Sequence, residues 1–336
     1  HMTKEDGKGK WWEGLDPADL YGLPPEKRPE GYKDQIGKNY MLRHQELVTK
    51  YDVDMLWFDG HGFPYGKFGK EVCRTFLNHN LRENGEFTAV IAGKFKNQPA
   101  IVKDIERGVA GEILPRPWQS IITFKSWFYK NEPGLGYKHN ARTVIETLCD
   151  VRSKNGNLLL NVELLPDGTI PAEQKIMLDD IGEWINMHQE SIHGSKPWKI
   201  YGDNLGSSLK LLEKKVSENK ATEADLEALE ALKKTGNNRH FTEKSVEDPP
   251  YGPQEVRFTT NGEKLFVFVL NPSPGTIRIP SLGFNSPQKP GIINNISLPG
   301  IAMEIQYEQK ANFLEVQIPK KRPTKYALVL EVLGAL

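Results

Sequence analysis

The sequence predicts an α/β chain built on a parallel sheet, followed by an antiparallel β-sandwich. Before residue 200, short apolar runs alternate with helical patterns, which is typical of parallel strands joined by crossover helices. From Val256 onward, short β-type runs are separated by glycine, proline and asparagine turns, which is typical of an antiparallel sandwich.

The elements of the α/β part follow from the spacing of apolar residues. In chain order, the predicted elements are a helix at 34–51, a strand at 53–58, a helix at about 69–83, a strand at 87–92, a strand at 120–124, a helix at 143–153, a strand at 157–162 and a helix at 171–185. Residues 93–118 show little periodicity and are predicted to form a loop, which leaves four strands in this part of the chain.

The rest of the chain divides into a charged helical insertion with a linker and a β-rich tail. Charged patterns at 211–215 and 223–234 predict helices with solvated faces. Strands are predicted at 256–259, 264–270, 276–279, 301–307, 313–318 and 326–332. We therefore expect an α/β domain at 1–204, the insertion and linker at 205–244, and a sandwich domain at 245–336.

The composition excludes several classes of protein. The 44 basic and 44 acidic residues cancel, so no global field favours nucleic acid or an anionic membrane as a partner. The longest apolar run, 265–270, is too short to cross a bilayer as a helix. Cys73 and Cys149 are expected to be buried free thiols. The eight histidines form no cluster at metal-ligand spacing, so we expect no cofactor and no metal.

Asp59 is the first candidate for a functional residue. Functional residues of parallel α/β folds lie at the carboxyl ends of strands, and Asp59 directly follows a predicted strand that ends in Trp57 and Phe58. A carboxylate beside aromatic rings suits a carbohydrate, because the C–H faces of a sugar pack on rings while acids handle hydroxyls or the anomeric carbon. The alternative is a turn-forming aspartate before Gly60.

A second group of charged residues follows the next predicted strand. Asp104, Glu106 and Arg107 lie in a predicted loop that could fold over the same edge of the sheet. Glycoside hydrolysis needs two carboxyl groups that flank the bond, one as nucleophile and one as general acid and then base. Asp59 and Glu106 are therefore a candidate pair, and a retaining mechanism requires them to be about 5–5.5 Å apart.

Several segments resemble glycoside hydrolase family 29, the α-L-fucosidases. Residues 54–60 (DMLWFDG) resemble the family's nucleophile strand, and 153–162 (SKNGNLLLNV) with 166–171 (PDGTIP) resemble its late-barrel signature. Further similar segments are KWWEG at 10–14, SWFY at 126–129, GEW at 182–184 and IHG at 192–194. The resemblance covers roughly residues 8–205 in family order, and the β-rich tail resembles the family's C-terminal sandwich.

The resemblance implies a retaining exo-α-L-fucosidase that acts on terminal α-L-fucosides of glycans. Asp59 would be the nucleophile and Glu106 the acid/base, with Glu112 as the alternative acid/base. Trp57 and Trp127 would form apolar walls around the fucose. For a bacterial member, the resemblance implies a periplasmic or extracellular location.

Two further residues, Arg107 and His61, are candidates for contact with substrate hydroxyls. Each has an ordinary structural alternative. Arg107 could instead pair with Asp104 or Glu106, and His61 could be a loop residue without a ligand role. Trp127 could likewise be a core or interface aromatic.

The sequence departs from the family in two places. Glu163-Leu164-Leu165 stands where the family usually has Gly-Pro, which affects one contact at the rim. The early strands of the family's (β/α)₈ barrel carry a histidine-rich set that binds the fucose hydroxyls, and no such segment precedes Asp59. About 200 residues are left for the barrel, against the ~250 of a complete one. The expected fold is therefore a partial (half) (β/α)₈ TIM-like barrel followed by an antiparallel β-sandwich.

A half barrel leaves strand edges unpaired and one sheet face uncovered, which favours association. We therefore expect a partner, most simply a second copy in a homodimer or higher homo-oligomer; a truncated chain or a separately encoded N-terminal half are the alternatives. Two functions remain open. Asp59 and Glu106 favour a fucoside hydrolase that is complete as an assembly, whereas the missing histidines favour a catalytically inactive glycan-binding or structural remnant.

Overall fold

The structure is a computed structural model that describes residues 2–60, 62–95, 101–130, 134–203, 215–223, 226, 238–240, 251 and 255–336. It divides into two compact units, His1–Ile101 and Val102–Leu336. The predicted insertion and linker at 205–244 therefore lie largely outside the described residues.

The first unit is an α/β segment built on two parallel strands. Its elements are the 3₁₀ turns Lys4–Gly7 and Pro25–Lys27, the helices α1 (Pro17–Tyr21), α2 (Tyr32–Tyr51) and α3 (Lys67–Asn84), and the strands β1 (Met55–Phe58) and β2 (Val90–Gly93). The register pairs Met55 with Val90 and Phe58 with Gly93. The helices and strands predicted in this unit are present, with ends shifted by up to three residues.

Helices α2 and α3 cover one face of these two strands. Val48 of α2, Phe58 of β1 and Phe76 of α3 belong to one buried cluster. The helices approach closely at Gly37, where a Cβ atom would lie 2.3 Å from a ring carbon of Phe68. Side chains on successive residues of a strand point to opposite faces, so the helices bury only one face of β1 and β2.

The second unit opens with three further parallel strands. Its first elements are β3 (Val102–Glu106), β4 (Gly108–Ala110), β5 (Trp118–Thr123), α4 (Ala141–Ser153), β6 (Gly156–Asn161), α5 (Ala172–Met187) and α6 (Gln189–Ile192). Strand β5 pairs in parallel with β3 on one side and with β6 on the other. The prediction of a loop over 93–118 is wrong, because β3 and β4 lie in it. Strand β3 contains too many polar residues to show an apolar pattern along the sequence. It forms a strand because it pairs with β5.

The rest of the second unit is antiparallel. Its strands are β7 (Lys196–Asp203), β8 (Asn238–His240), β9 (Val256–Asn261), β10 (Lys264–Val269), β11 (Gly275–Ile279), β12 (Asn295–Ser297), β13 (Tyr307–Gln309), β14 (Leu314–Ile318) and β15 (Leu328–Leu333), with a 3₁₀ turn at Pro280–Leu282. One sheet has the order β12-β15-β10-β9-β7 and a second has the order β11-β14-β13, while β8 pairs with β4.

The sandwich differs from the prediction in three places. The strand predicted at 301–307 is only a bridge at Ile301 and the first residue of β13, and both β7 and β12 lie where no strand was expected. Ile305 lies between those two points and is still buried in the sandwich core. Burial of this residue therefore produces the apolar pattern without strand pairing.

Strand β10 is buried on both faces. Leu265, Val267 and Val269 belong to the core between the two antiparallel sheets. Phe266 and Phe268 point the other way, into a second core that includes Ile145 of α4 and Trp184 of α5. The antiparallel sheet therefore packs directly on the helices of the α/β part of the same unit.

A buried ion pair joins these same layers. The guanidinium Nε of Arg257 on β9 lies 2.5 Å from Oδ1 of Asp150 on α4, and Nζ of Lys154 lies 2.6 Å from the other oxygen of that carboxylate. All three side chains are at most 4% exposed. Burial of an ionised carboxylate is tolerable here because both of its oxygens are paired.

The observed architecture agrees with the predicted fold class, parallel strands of a partial barrel followed by an antiparallel sandwich. Cys73 and Cys149 are buried free thiols, as expected. Among the described residues, no helix has the length and apolar character needed to cross a membrane.

Candidate active site

Asp59 occupies the carboxyl end of β1, the position that the sequence predicts. Strand β1 ends with the buried Phe58, and Gly60 has φ +104°, a conformation that side-chain-bearing residues rarely adopt. The chain therefore turns sharply after Asp59 and leaves its side chain at the strand end, 71% exposed to solvent. This carboxylate is accessible to a molecule of substrate size.

Lys94 links Asp59 to the aromatic ring beside it. Phe58 pairs with Gly93, so the residues that follow these two strands lie side by side. Nζ of Lys94 lies 2.7 Å from Oδ1 of Asp59 and 5.6 Å from the centre of the Trp57 ring. The ammonium stabilises the negative charge of the carboxylate and also makes a cation–π contact with the indole.

Sequence reasoning missed Lys94, although a usable signal was present. Lys94 directly follows β2, just as Asp59 directly follows β1, and the rule that selects Asp59 also selects it. Trp57 and Asp59, the two predicted site residues of this unit that the structure describes, thus share one cation. His61, predicted as a contact of the substrate, lies outside the described residues.

In the second unit, Glu106 and Arg107 stand at the carboxyl end of β3. The prediction that they lie in a loop is wrong for Glu106, which is the last residue of the strand. Arg107 has φ +52°, and its amide donates a hydrogen bond of 2.8 Å to the carbonyl oxygen of Ile121 on β5. The turn at Arg107 is therefore fixed by the neighbouring strand, and Glu106 is half-buried at its edge.

The structure brings together Arg107 and Trp127, two residues that the sequence analysis selected separately. The guanidinium carbon of Arg107 lies 5.1 Å from the centre of the Trp127 ring. The loop that carries Trp127 is held at Ser126, whose carbonyl oxygen accepts hydrogen bonds from Thr123 Oγ1 (2.6 Å) and Asn161 Nδ2 (3.0 Å). Thr123 and Asn161 are the last residues of β5 and β6, so strand ends position this aromatic as well.

Glu112, the alternative acid/base, is placed differently. It is exposed and lies two residues beyond β4, which is not one of the parallel strands. Glu106 ends a parallel strand, as functional residues of such sheets do, and Glu112 does not. The geometry of the unit therefore favours Glu106 of the two.

The altered rim segment forms an ordered turn. Glu163 is buried, its amide donates to Oε1 of Gln174 (3.1 Å), and Nε2 of Gln174 donates to Oε2 of Glu163 (3.2 Å). Asp167 accepts hydrogen bonds from the amide and the hydroxyl of Thr169. Glu163 thus anchors this turn to α5.

Each unit therefore offers a carboxylate at a strand end beside a tryptophan and a cation. Carboxylates can attack or protonate, and ring faces can bind the apolar side of a sugar. Within the ranges that the structure describes, no group of three or more histidine, cysteine, aspartate or glutamate side chains could hold a metal ion.

Comparison with known proteins identifies the family. The family model described as alpha-L-fucosidase matches residues 16–190, just over half of the chain. The chain is 27% identical over 168 residues to the plasma alpha-L-fucosidase of Rattus norvegicus, covering 48% of this chain and 36% of that protein. It is 34% identical over 201 residues to the tissue alpha-L-fucosidase of Bos taurus, covering 52% and 39%.

Solved structures show the same fold. An alpha-L-fucosidase superposes with a TM-score of 0.63 at 24% identity, covering 95% of this chain and 59% of that one. A Thermotoga maritima alpha-fucosidase in complex with a mechanism-based inhibitor superposes with a TM-score of 0.61 at 23% identity, covering 95% and 60%. The chain thus spans well under half the length of the two curated relatives and about three-fifths of these structures. On the match of its family model, the chain belongs to the alpha-L-fucosidase family.

Proposed function

We propose that this chain is a retaining exo-α-L-fucosidase that removes terminal α-L-fucose from glycans. One observation carries the proposal: the exposed carboxylate of Asp59 ends β1 between Lys94 and Trp57, inside the segment that matches the family. The proposal extends to the whole chain the activity named for its relatives, and it assigns roles to residues that geometry places at strand ends.

In the proposed first step, a carboxylate oxygen of Asp59 attacks the anomeric carbon of the fucoside. The bond from that carbon to the leaving oxygen breaks, and the leaving oxygen takes the proton of Glu106. A fucosyl ester of Asp59 is formed. In the second step, Glu106 removes a proton from water, the water oxygen attacks the same carbon, and the ester bond to Asp59 breaks. Two inversions give net retention of configuration.

The remaining residues bind and orient in this proposal. Lys94, 2.7 Å from Oδ1 of Asp59, fixes the direction of that carboxylate beside Trp57. Trp57 and Trp127 receive the apolar side of the sugar ring, and Arg107, held against Trp127, donates to hydroxyl groups. His61 is a proposed hydroxyl contact on the basis of its place after Asp59.

The nucleophile is tested with Asp59→Ala and an aryl α-L-fucoside. The rate should fall by more than about a thousandfold, about 4 kcal/mol of barrier, because no covalent intermediate can form. Adding azide to Asp59→Gly should restore turnover and give fucosyl azide of inverted configuration. Wild-type activity in Asp59→Ala would overturn the assignment, and NMR of the first product would show whether configuration is retained.

The acid/base is tested by a matched pair of variants. Glu106→Gln should lower kcat/KM on a natural glycan by about 10²–10⁴-fold, since proton donation to the leaving oxygen is lost. The loss should shrink on an aryl fucoside whose leaving group needs no proton. Glu112→Gln is the control, and a loss confined to it would reassign the acid/base.

We also propose that the active form is an assembly of chains. The face of β1 and β2 that α2 and α3 leave open presents Met55, Trp57 and Val90, each 38–41% exposed. Leu159 on β6 is 42% exposed in the same way. Among the described strands, β1 pairs with β2 alone and β6 with β5 alone, so each has an open edge. Light scattering should give a mass above 38.1 kDa, and a stable active monomer would contradict the proposal.

A second candidate function is a glycan-binding protein without hydrolytic activity. It is favoured by the exposure of Asp59 and Trp57, because charged groups stabilise a transition state less well in a site that is open to solvent than in an enclosed one. The two candidates differ in one result. A correctly folded wild type that binds fucose, yet releases none from an aryl fucoside at any chain concentration, would establish the second.

A further inference from the structure

The first unit contains a groove whose lining residues differ from those around Asp59. It has a volume of about 860 Å³, within the range of small-molecule sites. Four tyrosines line it, Tyr21, Tyr32, Tyr40 and Tyr65, together with Arg28 and Arg43. We call it the tyrosine groove. Its walls are the segment around α1, the first half of α2 and the loop between β1 and α3.

In the tyrosine groove, Tyr65 packs against Tyr40, and the rings of Tyr21 and Tyr65 remain accessible to solvent. The rings of Tyr40 and Tyr65 are 5.2 Å apart and inclined by 51°. Tyr65 has φ +54°, a conformation that costs a side-chain-bearing residue about 1–3 kcal/mol and that marks functional segments. Tyr65 is 41% exposed and Tyr21 is 72% exposed. Two ring faces are thus available to a ligand.

Polar groups of the tyrosine groove are also fixed. The hydroxyl of Tyr32 accepts a 2.6 Å hydrogen bond from the amide of Leu23, and Nε of Arg28 donates to the carbonyl oxygen of Leu23 (2.7 Å). The guanidinium of Arg28 lies 5.7 Å from the centre of the Tyr32 ring. This pair is therefore oriented before any ligand binds, which reduces the entropic cost of binding.

The charge of the tyrosine groove identifies the class of ligand. Three cationic and two anionic side chains line it, the cations Arg28, Lys33 and Arg43 and the anions Asp19 and Asp34. These charges nearly cancel, so the lining creates no field that would select a polyanion. Rings for C–H faces, with acids and guanidinium groups for hydroxyls, suit a neutral saccharide.

The tyrosine groove lies at the end of the unit where Asp59 stands. Helix α2 leads into β1, so its first half lies near the carboxyl end of that strand, and α3 begins at the same end. An ion pair of 2.9 Å between Lys67 Nζ and Asp34 Oδ2 joins these two helix starts. Tyr65 itself lies in the loop that begins with Asp59.

We propose that the tyrosine groove binds a neutral oligosaccharide, the glycan chain to which the terminal fucose is attached. This inference rests on the proposed function for the identity of that chain. It assigns to the groove the sugar residues that follow the fucose, with the faces of Tyr21 and Tyr65 as the main contacts.

The probe is lacto-N-tetraose, a neutral tetrasaccharide without fucose, observed by saturation-transfer NMR and titrated for affinity. Wild type should show transfer to sugar protons, and a Tyr21→Ala/Tyr65→Ala variant should bind at least tenfold more weakly. Tyr21→Phe/Tyr65→Phe should keep the affinity, because the ring faces carry it. Trp11→Ala is the control, an aromatic of the same unit that is 92% exposed and outside the groove lining.

The proposal would be overturned by the absence of saturation transfer in wild type at millimolar saccharide. It would also be overturned by equal affinity in the double alanine variant, or by loss of binding in Asp59→Ala. The last would place the saccharide at the catalytic carboxylate. A proline-rich peptide that binds the groove where the saccharide does not would also overturn it. A wild type that binds the tetrasaccharide but hydrolyses no fucoside refutes the proposed function and leaves the groove assignment standing.

Discussion

Glu146 on α4 gives a prediction that can be worked out in numbers. Its side chain is fully buried, and within the described residues neither carboxyl oxygen has a hydrogen-bond partner. Nη1 of Arg142 lies 3.9 Å away, beyond hydrogen-bond distance, and the buried Glu255 adds negative charge. Burial raises the pKa of Glu146 from its usual 4.5 to about 8. The folded protein therefore holds a proton there at neutral pH.

The sign of the effect on stability follows from proton binding. Between pH 4.5 and 8, the folded chain keeps a proton on Glu146 that the unfolded chain has released, so the free energy of unfolding falls as pH rises. The full difference is about 5 kcal/mol, at 1.36 kcal/mol for each pH unit between the two pKa values. Between pH 6.5 and 8.5, the free energy of unfolding should fall by about 2 kcal/mol as Glu146 loses its proton in the folded chain.

Two buried histidines act in the opposite direction below that range. Burial lowers the pKa of His139 and of His188 from 6.5 to about 4. Their contribution to stability is complete above pH 6.5 and is lost as pH falls towards 4. Measurement above pH 6.5 therefore leaves out most of the histidine contribution, and comparison with a variant that lacks the Glu146 carboxyl isolates the effect of Glu146.

Glu146→Gln should remove this pH dependence, because an amide does not titrate. In urea unfolding, wild type should lose about 2 kcal/mol between pH 6.5 and 8.5 relative to the variant. Glu183→Gln, an exposed substitution on α5, should follow wild type. A difference between wild type and Glu146→Gln that stays constant within about 0.5 kcal/mol over this range would refute the reasoning.

Three further outcomes follow from contacts in the two units. Arg257→Met should lower the free energy of unfolding by about 3–5 kcal/mol, because it removes a buried partner of Asp150. A loss of less than about 1 kcal/mol in urea unfolding would contradict this. Gly37→Ala should destabilise by about 1–3 kcal/mol through overlap with Phe68, and adding Phe68→Leu should recover most of that loss in thermal unfolding. Lys94→Ala should lower kcat/KM on an aryl fucoside about tenfold, with Lys94→Arg nearer to wild type, and an unchanged rate would remove Lys94 from the site.

The sequence predicts best those helices and strands whose buried side chains form a regular apolar pattern along the chain. The apolar spacing of α2 and α4 and the apolar runs of β1 and β10 are visible along the chain because neighbouring residues share one core. Strand β3 has only Val102 and Ile105 as apolar members, and its order comes from β5, which lies more than ten residues away. No local pattern records such a contact.

The same distinction applies to the candidate site. Asp59 could be selected because it follows an obvious strand, and a resemblance to known enzymes then gave it a role. Lys94 obeys the same rule but follows a glycine in a less apolar segment, so its contact with Asp59 depends on the register of two strands. The contact of Arg107 with Trp127 depends on hydrogen bonds from two further strand ends, which sequence spacing does not supply.

The double burial of β10 has a consequence for how this protein can be cut and recombined. A strand whose alternate side chains belong to two cores ties those cores into one cooperative element. Removal of the C-terminal sheets would expose Ile145 and Trp184 along with the rest of the core that Phe266 and Phe268 complete. The sandwich is therefore a wall of the α/β part and not a detachable module, so a chimera that exchanges it must also carry matching faces on α4 and α5.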